Sequence, residues 1–300
     1  MLEFQEFVAS VREQIADYLL QYDIDTVEVK ELLKNNDVVV TGLIVHISDC
    51  PVTPNLYLES YYEKYRQGSC MEEILGQLRD DYIYAKNHTP IDSYEPFCAD
   101  TVRERIFFKL VNRGKNESFL QNCPYISYMD LAITFRYMVI CDGERIGSAL
   151  VRNQDMEQWN LSLDTLYAYA KDNTRRIFSV KLTSMAEIVE KGTDICLDME
   201  LLEQGPKLYV LTNERGVNGA SLILYDDILA EFADRFACDF YILPSSIHEV
   251  LLLPKTEEIN VAFLSQTVRE VNSFAVGETD YLSDCVYYYN RHTKSLSICD

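Results

Sequence analysis

Three hundred residues, 48% of them apolar and 12% aromatic, suffice to bury a sizeable core in one large domain or two lobes, which excludes a chain that is disordered over long stretches. Acidic side chains number 48 and basic ones 27, a formal charge of −21 spread evenly over both halves with no separable acidic tail. A field of that sign disfavours direct binding to nucleic acid or to an anionic membrane and favours solubility and basic partners.

Residues 2–20 place Phe4, Phe7, Val8, Val11, Ile15, Tyr18 and Leu19 at three- and four-residue steps, which predicts an amphipathic helix. The segment has neither the basic region nor the apolar core of a signal peptide. Strands follow at Val27–Val29 and Val38–Ile47 around the turn Asn35-Asn36-Asp37, with a third near Leu56–Leu58. A short helix over Ser60–Gln67 should stop at Gly68, and Ser69 with Glu72 reads as the capping box of the next helix. After a loop over 87–97, Ile106–Val111 is read as a buried strand, although a helix over Asp100–Asn116 also fits the pattern. A hairpin comes next: Leu131–Val139 alternates, Cys141–Glu144 turns, and Arg145–Val151 returns. Leu161–Lys171 and Ser184–Val189 read as helices around a strand near Ile177–Lys181.

The acidic segment 192–206, bounded by Gly192 and Pro206, is the expected connection between lobes 1–191 and 207–300. Beyond it, Leu208–Thr212 and Ala220–Leu224 are expected to pair as a hairpin around the Asn-Gly turn in Asn213–Gly219. Asp226 is placed as the cap of a helix reaching Ala237, followed by strands Phe240–Leu243 and Glu249–Leu253. A helix from about Glu257, with Val261, Leu264, Val268 and Val271 aligned, precedes a last hairpin over Asp284–Tyr289 and Ser295–Cys299. Hairpins interleaved with helices imply an α+β fold with antiparallel or mixed sheets. The longest apolar runs are strand-length, so no membrane span is expected and the cytoplasm is the expected compartment.

Chemical motifs are sparse. Nine cysteines are scattered without Cys-x-x-Cys spacing and are expected as reduced, mostly buried thiols. His46, His88, His248 and His292 are far apart, and the one short His/Asp pairing, His46–Asp49, reads as a strand end; neither metal nor cofactor is expected. The loop Asn213–Gly219 lacks the Lys-Ser/Thr of a phosphate-binding loop and reads as a turn. The basic group Arg103–Lys115 is expected to pair internally, whereas consecutive tyrosines such as Tyr287–Tyr289 could present rings to a partner. One cluster contains the parts of a nucleophile–base–orienter relay: Ser245, Ser246, His248 and Glu249, on the connection between two strands. Against a relay, a strand would send His248 and Glu249 to opposite faces, no Gly-x-Ser-x-Gly elbow is present, and Pro-Ser-Ser is also good turn chemistry.

Several blocks carry a resemblance. Tyr209-Val-Leu-Thr-Asn213 with Gly216 and Asn218-Gly219-Ala220, Phe240 through Val250, Val268-Arg-Glu-Val-Asn272, Leu282-Ser-Asp-Cys-Val-Tyr287, and Asn55-Leu-Tyr-Leu-Glu59 with Tyr61-Tyr62 resemble an uncharacterised bacterial family, the domain of unknown function 5688. The resemblance spans nearly the whole chain and so implies one family unit over 1–300. It implies an origin in clostridial gut bacteria and, by association with mobile elements, an accessory or regulatory role, but no catalytic residue or cofactor. The function expected is therefore that of a non-enzymatic accessory protein acting through a macromolecular partner, a basic or DNA-binding protein; the alternative is a hydrolase or small-molecule enzyme built on Ser245–Glu249.

Overall fold

The computed structural model describes residues 1–20, 22, 24, 26–46, 55–87, 99–141, 146–191, 207–256 and 259–299. The chain divides into two compact units, one of Met1–Lys34 with Val38–Glu95 and the other of Asn35–Asp37 with Pro96–Asp300. The acidic segment 192–206 lies outside the described residues, and the strands on either side of it pair directly within one sheet of the second unit.

In the first unit, helix α1 (Phe4–Leu19) buries Phe7, Val11, Ile15 and Leu19, a four-residue stripe that sets which face turns inward. The stripe packs in one cluster with α2 (Leu58–Arg66), α3 (Met71–Asn87) and an antiparallel sheet ordered β1 (Thr26–Leu33), β2 (Val39–His46), β3 (Asn55–Tyr57). Helix α2 ends as expected: Gly68 takes φ +112°, a conformation that L side chains rarely adopt. The cap of α3 falls one residue later than expected, because Glu73 rather than Glu72 reaches back to accept from a backbone N–H, that of Cys70, at 2.9 Å. Gly76, inside α3, has open space where a Cβ would go.

The second unit holds two antiparallel sheets. In the smaller, β6 (Leu131–Cys141) pairs with β4 (Ile106–Asn112), β5 (Tyr125–Tyr128) and β7 (Ile146–Leu150). The strand alternative for 106–112 is the correct one, since all but Lys109 and Asn112 of β4 are buried. Short helices α4 (Ala99–Val102), α5 (Glu117–Leu120) and α6 (Asn153–Trp159) lie along this stretch of chain. Helix α7 (Leu163–Ile177) runs through Ile177, so the next strand, β8 (Val180–Ser184), starts later than the sequence pattern indicated; α8 (Met185–Lys191) follows. Asn173 and Thr174 pin α7 to β4: Asn173 Nδ2 donates to the carbonyls of Arg103 and Ile106, and Thr174 Oγ1 accepts from Phe108 N–H.

The larger sheet is ordered β13 (Ser295–Ile298), β12 (Tyr287–Asn290), β10 (Phe240–Pro244), β11 (Val250–Pro254), β9 (Tyr209–Asn213), β8. Every residue of β10 is buried, because both faces of the sheet are covered. Phe240 and Ile242 join the main core with Leu229 and Phe232 of α9 (Asp226–Phe236), while Tyr241 and Leu243 pack with Val268 of α10 (Val261–Ala275). Tyrosines 287–289 obey the same alternation: Tyr287 and Tyr289 are buried in the main core and Tyr288 packs on the other face, so this run is structural.

Three expectations fail here. Gly219–Leu224 is a 3-10 helix buried from Gly219 to Ile223, so no hairpin forms; the apolar run that suggested a strand is apolar because it sits in the core. Asp226 is the first helical residue of α9 rather than its cap, which is Tyr225, and its carboxylate in the first turn complements the helix dipole. In α10, Asn260 caps by accepting from Phe263 N–H at 3.1 Å, and Val271 is 43% exposed instead of buried.

Candidate functional site

The four relay candidates lie on the β10–β11 connection in the second unit. Pro244 and Val250 pair in register, so Ser245–Glu249 must reverse the chain, and Ser246 N–H closes the turn on the Glu249 carbonyl at 3.1 Å. Ser245, Ser246, His248 and Glu249 are half-buried, and Ile247 between them is buried. Its side chain joins the main core while its N–H donates to the Asp280 carbonyl at 2.8 Å.

Two of the side-chain polar atoms, Ser246 Oγ and His248 Nδ1, hold backbone. Ser246 Oγ accepts from the N–H of His248 at 3.0 Å, a serine turn. His248 Nδ1 accepts from the N–H of Asn218 at 3.3 Å, which places the proton of the neutral imidazole on Nε2. Nε2 lies 3.5 Å from Asp280 Oδ1. The His248 carbonyl accepts from Thr212 Oγ1 at 2.8 Å. No hydrogen bond among the described residues joins the Ser245 or Ser246 hydroxyl to the imidazole, and the carboxylate facing the ring belongs to Asp280, not Glu249. A relay needs the base to present a lone pair to the nucleophile; here that lone pair is taken by a backbone N–H.

The turn therefore meets the other loop singled out in the sequence. Asn213 closes Asn213–Gly219 on itself, its Nδ2 donating to the Val217 carbonyl at 2.8 Å and its Oδ1 accepting from Arg215 N–H at 3.0 Å. Gly216 and Asn218 both have φ near +60° (+63° and +54°), and Asn218 starts the 3-10 helix. Gly219 then passes so close that a Cβ would lie 2.4 Å from the His248 carbonyl oxygen and 2.9 Å from Thr212 Cα. Two turns distant in sequence are thus clasped by Thr212, Asn218 and His248, with Asp280 bracing the second of them. Thr212, Asn218 and Asp280 were not marked as site residues, since spacing carries no sign that residues about thirty apart converge.

A second polar cluster lies nearby in sequence. Asn272 Nδ2 donates to the carbonyl of Ser283 at 2.9 Å and to Asp284 Oδ1 at 3.0 Å, and reaches the Pro244 carbonyl at 3.4 Å. Asp130 accepts from Ser283 Oγ at 2.6 Å and from the Tyr287 hydroxyl at 2.8 Å. Burial, then the Asp130 charge, pushes the Tyr287 phenol far up, so it stays a donor. Ser283 is 1% exposed and no substrate could reach its hydroxyl.

Open clefts of the second unit lie at other residues. One of about 620 Å³ is lined by Asn112, Arg113, Glu117, Gln121, Tyr125 and Asp130 among others, and one of about 610 Å³ by Lys171, Arg175, Arg176, Tyr225, Asp226 and Asp227 among others. The second is crossed by an ion pair, Arg175 Nη2 to Asp227 Oδ2 at 2.5 Å. Within the basic group, Arg103 lies over the Tyr169 ring at 5.2 Å and Lys115 over the Tyr281 ring at 3.8 Å, so these two cations rest on aromatic faces.

Among the described residues no group of three or more His, Cys, Asp or Glu side chains is placed to hold a metal ion, and no helix is long and apolar enough to cross a membrane. His46 Nε2 sits 3.4 Å from Glu28 Oε2 across β1 and β2; Ile47–Cys50 and His88 lie outside the described residues. The five cysteines whose side chains are described, Cys70, Cys123, Cys238, Cys285 and Cys299, are free thiols, but only Cys123 is buried and Cys70 is exposed, which corrects the expectation of mostly buried thiols for these five. No curated protein and no solved structure matches the chain. The profile of the family of unknown function DUF5688 matches residues 4–291, and the chain belongs to that family.

Proposed function

We propose that this chain is a non-enzymatic accessory or regulatory protein of the cytoplasm that works by binding another macromolecule, a basic protein such as a DNA-binding one. The observation that carries this reading is the clasp: Ser246 Oγ and His248 Nδ1 already accept backbone N–H groups, and Asp280 faces Nε2, so the best catalytic candidate is spent on structure. The charge of −21 supplies the chemistry of the partner, since it raises the local concentration of cations and repels phosphate. Chemistry at the turn would need the Asn218 contact to open first.

The experiment is affinity purification of the tagged chain from a native lysate over a series of salt concentrations. A stoichiometric partner of basic composition, released as salt rises through a few hundred millimolar, is expected because exposed charges are screened over about 8 Å at physiological salt and less above it. Recovery of no partner at any salt concentration contradicts the proposal, as does a partner of acidic composition.

A further inference from the structure

Helix α10 buries little of itself. Its inward side is Val268, packed in one cluster with Tyr241 and Leu243, the partly buried Val261 and Leu264 beside it, and Asn272, whose three hydrogen-bond acceptors fix the rotation of the helix. With the rotation fixed, Phe263 and Phe274 stand 71% and 79% exposed, the only phenylalanines among the described residues left so open. Eleven residues apart, they fall within about 20° of one another around the helix and about 16 Å along it. Isolated exposed apolar residues are ordinary; here two phenylalanines share one stripe with the exposed Val271 beside them.

Charge indicates what covers the stripe. Exposed Glu270 lies on it and exposed Glu278 just beyond its C-terminal end, against the single cation Arg269, in a chain that is acidic throughout. A second copy would bring −21 against −21. The two rings leave about 300 Å² of apolar surface, well short of the roughly 800 Å² per partner of a stable interface, so apolar burial alone would not overcome that repulsion. A cationic amphipathic helix instead gains from both terms: its apolar face covers the rings and its lysines or arginines meet the glutamates. We infer that the Phe263–Phe274 stripe of α10 is the docking surface for a basic amphipathic helix of the partner protein, an inference that rests on the binding reading above and locates it.

The test uses a fluorescein-labelled fifteen-residue Leu/Lys amphipathic helix as the probe, a Leu/Glu helix as its counterpart, and fluorescence anisotropy of the full-length chain. The Leu/Lys peptide is expected to bind saturably, to weaken at least tenfold with Phe263→Ser/Phe274→Ser, and to be unaffected by Leu20→Ser, a residue 75% exposed elsewhere. Glu270→Lys/Glu278→Lys, which leaves the rings in place, should weaken the Leu/Lys peptide and admit the Leu/Glu one. Equal binding by the double-Phe variant overturns the assignment, and so does a dimer in light scattering that this variant dissolves, which would make the occupant a second copy. The same variant in the lysate purification separates the two levels. A partner kept by it removes the stripe and leaves the binding reading standing, whereas no partner with the native chain removes the reading itself.

Discussion

Gly219→Ala and Gly76→Ala are the same chemical change with opposite expected signs. At Gly219 the new methyl carbon would sit 2.4 Å from the His248 carbonyl oxygen, 2.5 Å from Thr212 Oγ1 and 2.9 Å from Thr212 Cα. Two of those three atoms are backbone, Thr212 held by its pairing with Lys181 of β8 and His248 by the buried Ile247 next to it, so neither yields by a rotamer change. Overpacking of this kind costs about 1–3 kcal/mol, and displacing Thr212 from the His248 carbonyl forfeits about 1 kcal/mol more. Alanine's smaller unfolded-state entropy returns about 0.4–1 kcal/mol. The net loss is about 1–3.6 kcal/mol, a fall in Tm of roughly 2–14 °C for a unit of this size. Trp159, the single tryptophan, is buried in the same unit and reports its unfolding by fluorescence. At Gly76, with open space and a helical backbone, alanine should instead stabilise by up to about 1 kcal/mol, read by far-UV circular dichroism. A Gly219→Ala protein that melts at or above the native temperature would refute the clasp geometry.

Burial pushes the phenols of Tyr128 and Tyr225 up to about 12. A folded-state value above the unfolded one of about 10 means stability intact below pH 10 and lost as pH climbs toward 12. Absorbance at 295 nm should therefore show a late wave of ionisation coincident with loss of circular dichroism, and a single wave near pH 10 with the fold intact contradicts this. Asp239 moves the other way: hydrogen bonds from the Tyr288 hydroxyl and from Arg291 N–H hold its carboxyl below the ordinary range. Its contribution is complete above about pH 4 and lost as pH falls through the depressed value, so the urea-midpoint gap between native chain and Asp239→Asn should close in acid. A gap constant from pH 6 to pH 2 would show that the carboxylate is not the source. The Cys123 thiol, pushed up to about 11 by burial, carries about 0.1% thiolate at pH 8 and should react with iodoacetamide about two orders of magnitude more slowly than an ordinary exposed thiol. Modification of Cys123 as fast as Cys70 in the native protein is the contrary result.

Periodicity exposed the helices because each buries one face, and the buried strands because they are short apolar runs. The four-residue stripe of α1 is a local fact, and it places Phe7 inside without knowledge of the partner surface, whereas the run Tyr287–Tyr289 has no alternation in sequence and its inward members show only in the structure. Gly219–Leu224 resisted because a buried apolar run is apolar whether it is strand or 3-10 helix. The relay residues were legible as residue types, yet what each atom does was not. The ring of His248 is occupied by Asn218 and Asp280, thirty and thirty-two positions away, and convergence of that kind is a property of topology. The exposed phenylalanines of α10 were hidden for a related reason: helical spacing identifies an apolar set but not which of its members Asn272 rotates outward.

The claim that the Ser245–Glu249 turn is a clasp and not a reaction centre has a direct test. The native chain is incubated with a fluorophosphonate, which labels serines activated by a neighbouring base, and digested for mass spectrometry. With His248 Nδ1 bonded to Asn218 N–H, neither Ser245 nor Ser246 should carry an adduct, and the modification pattern should not change in His248→Ala. A stoichiometric adduct at either serine that disappears in His248→Ala would contradict the account and put a working nucleophile where a structural turn is described.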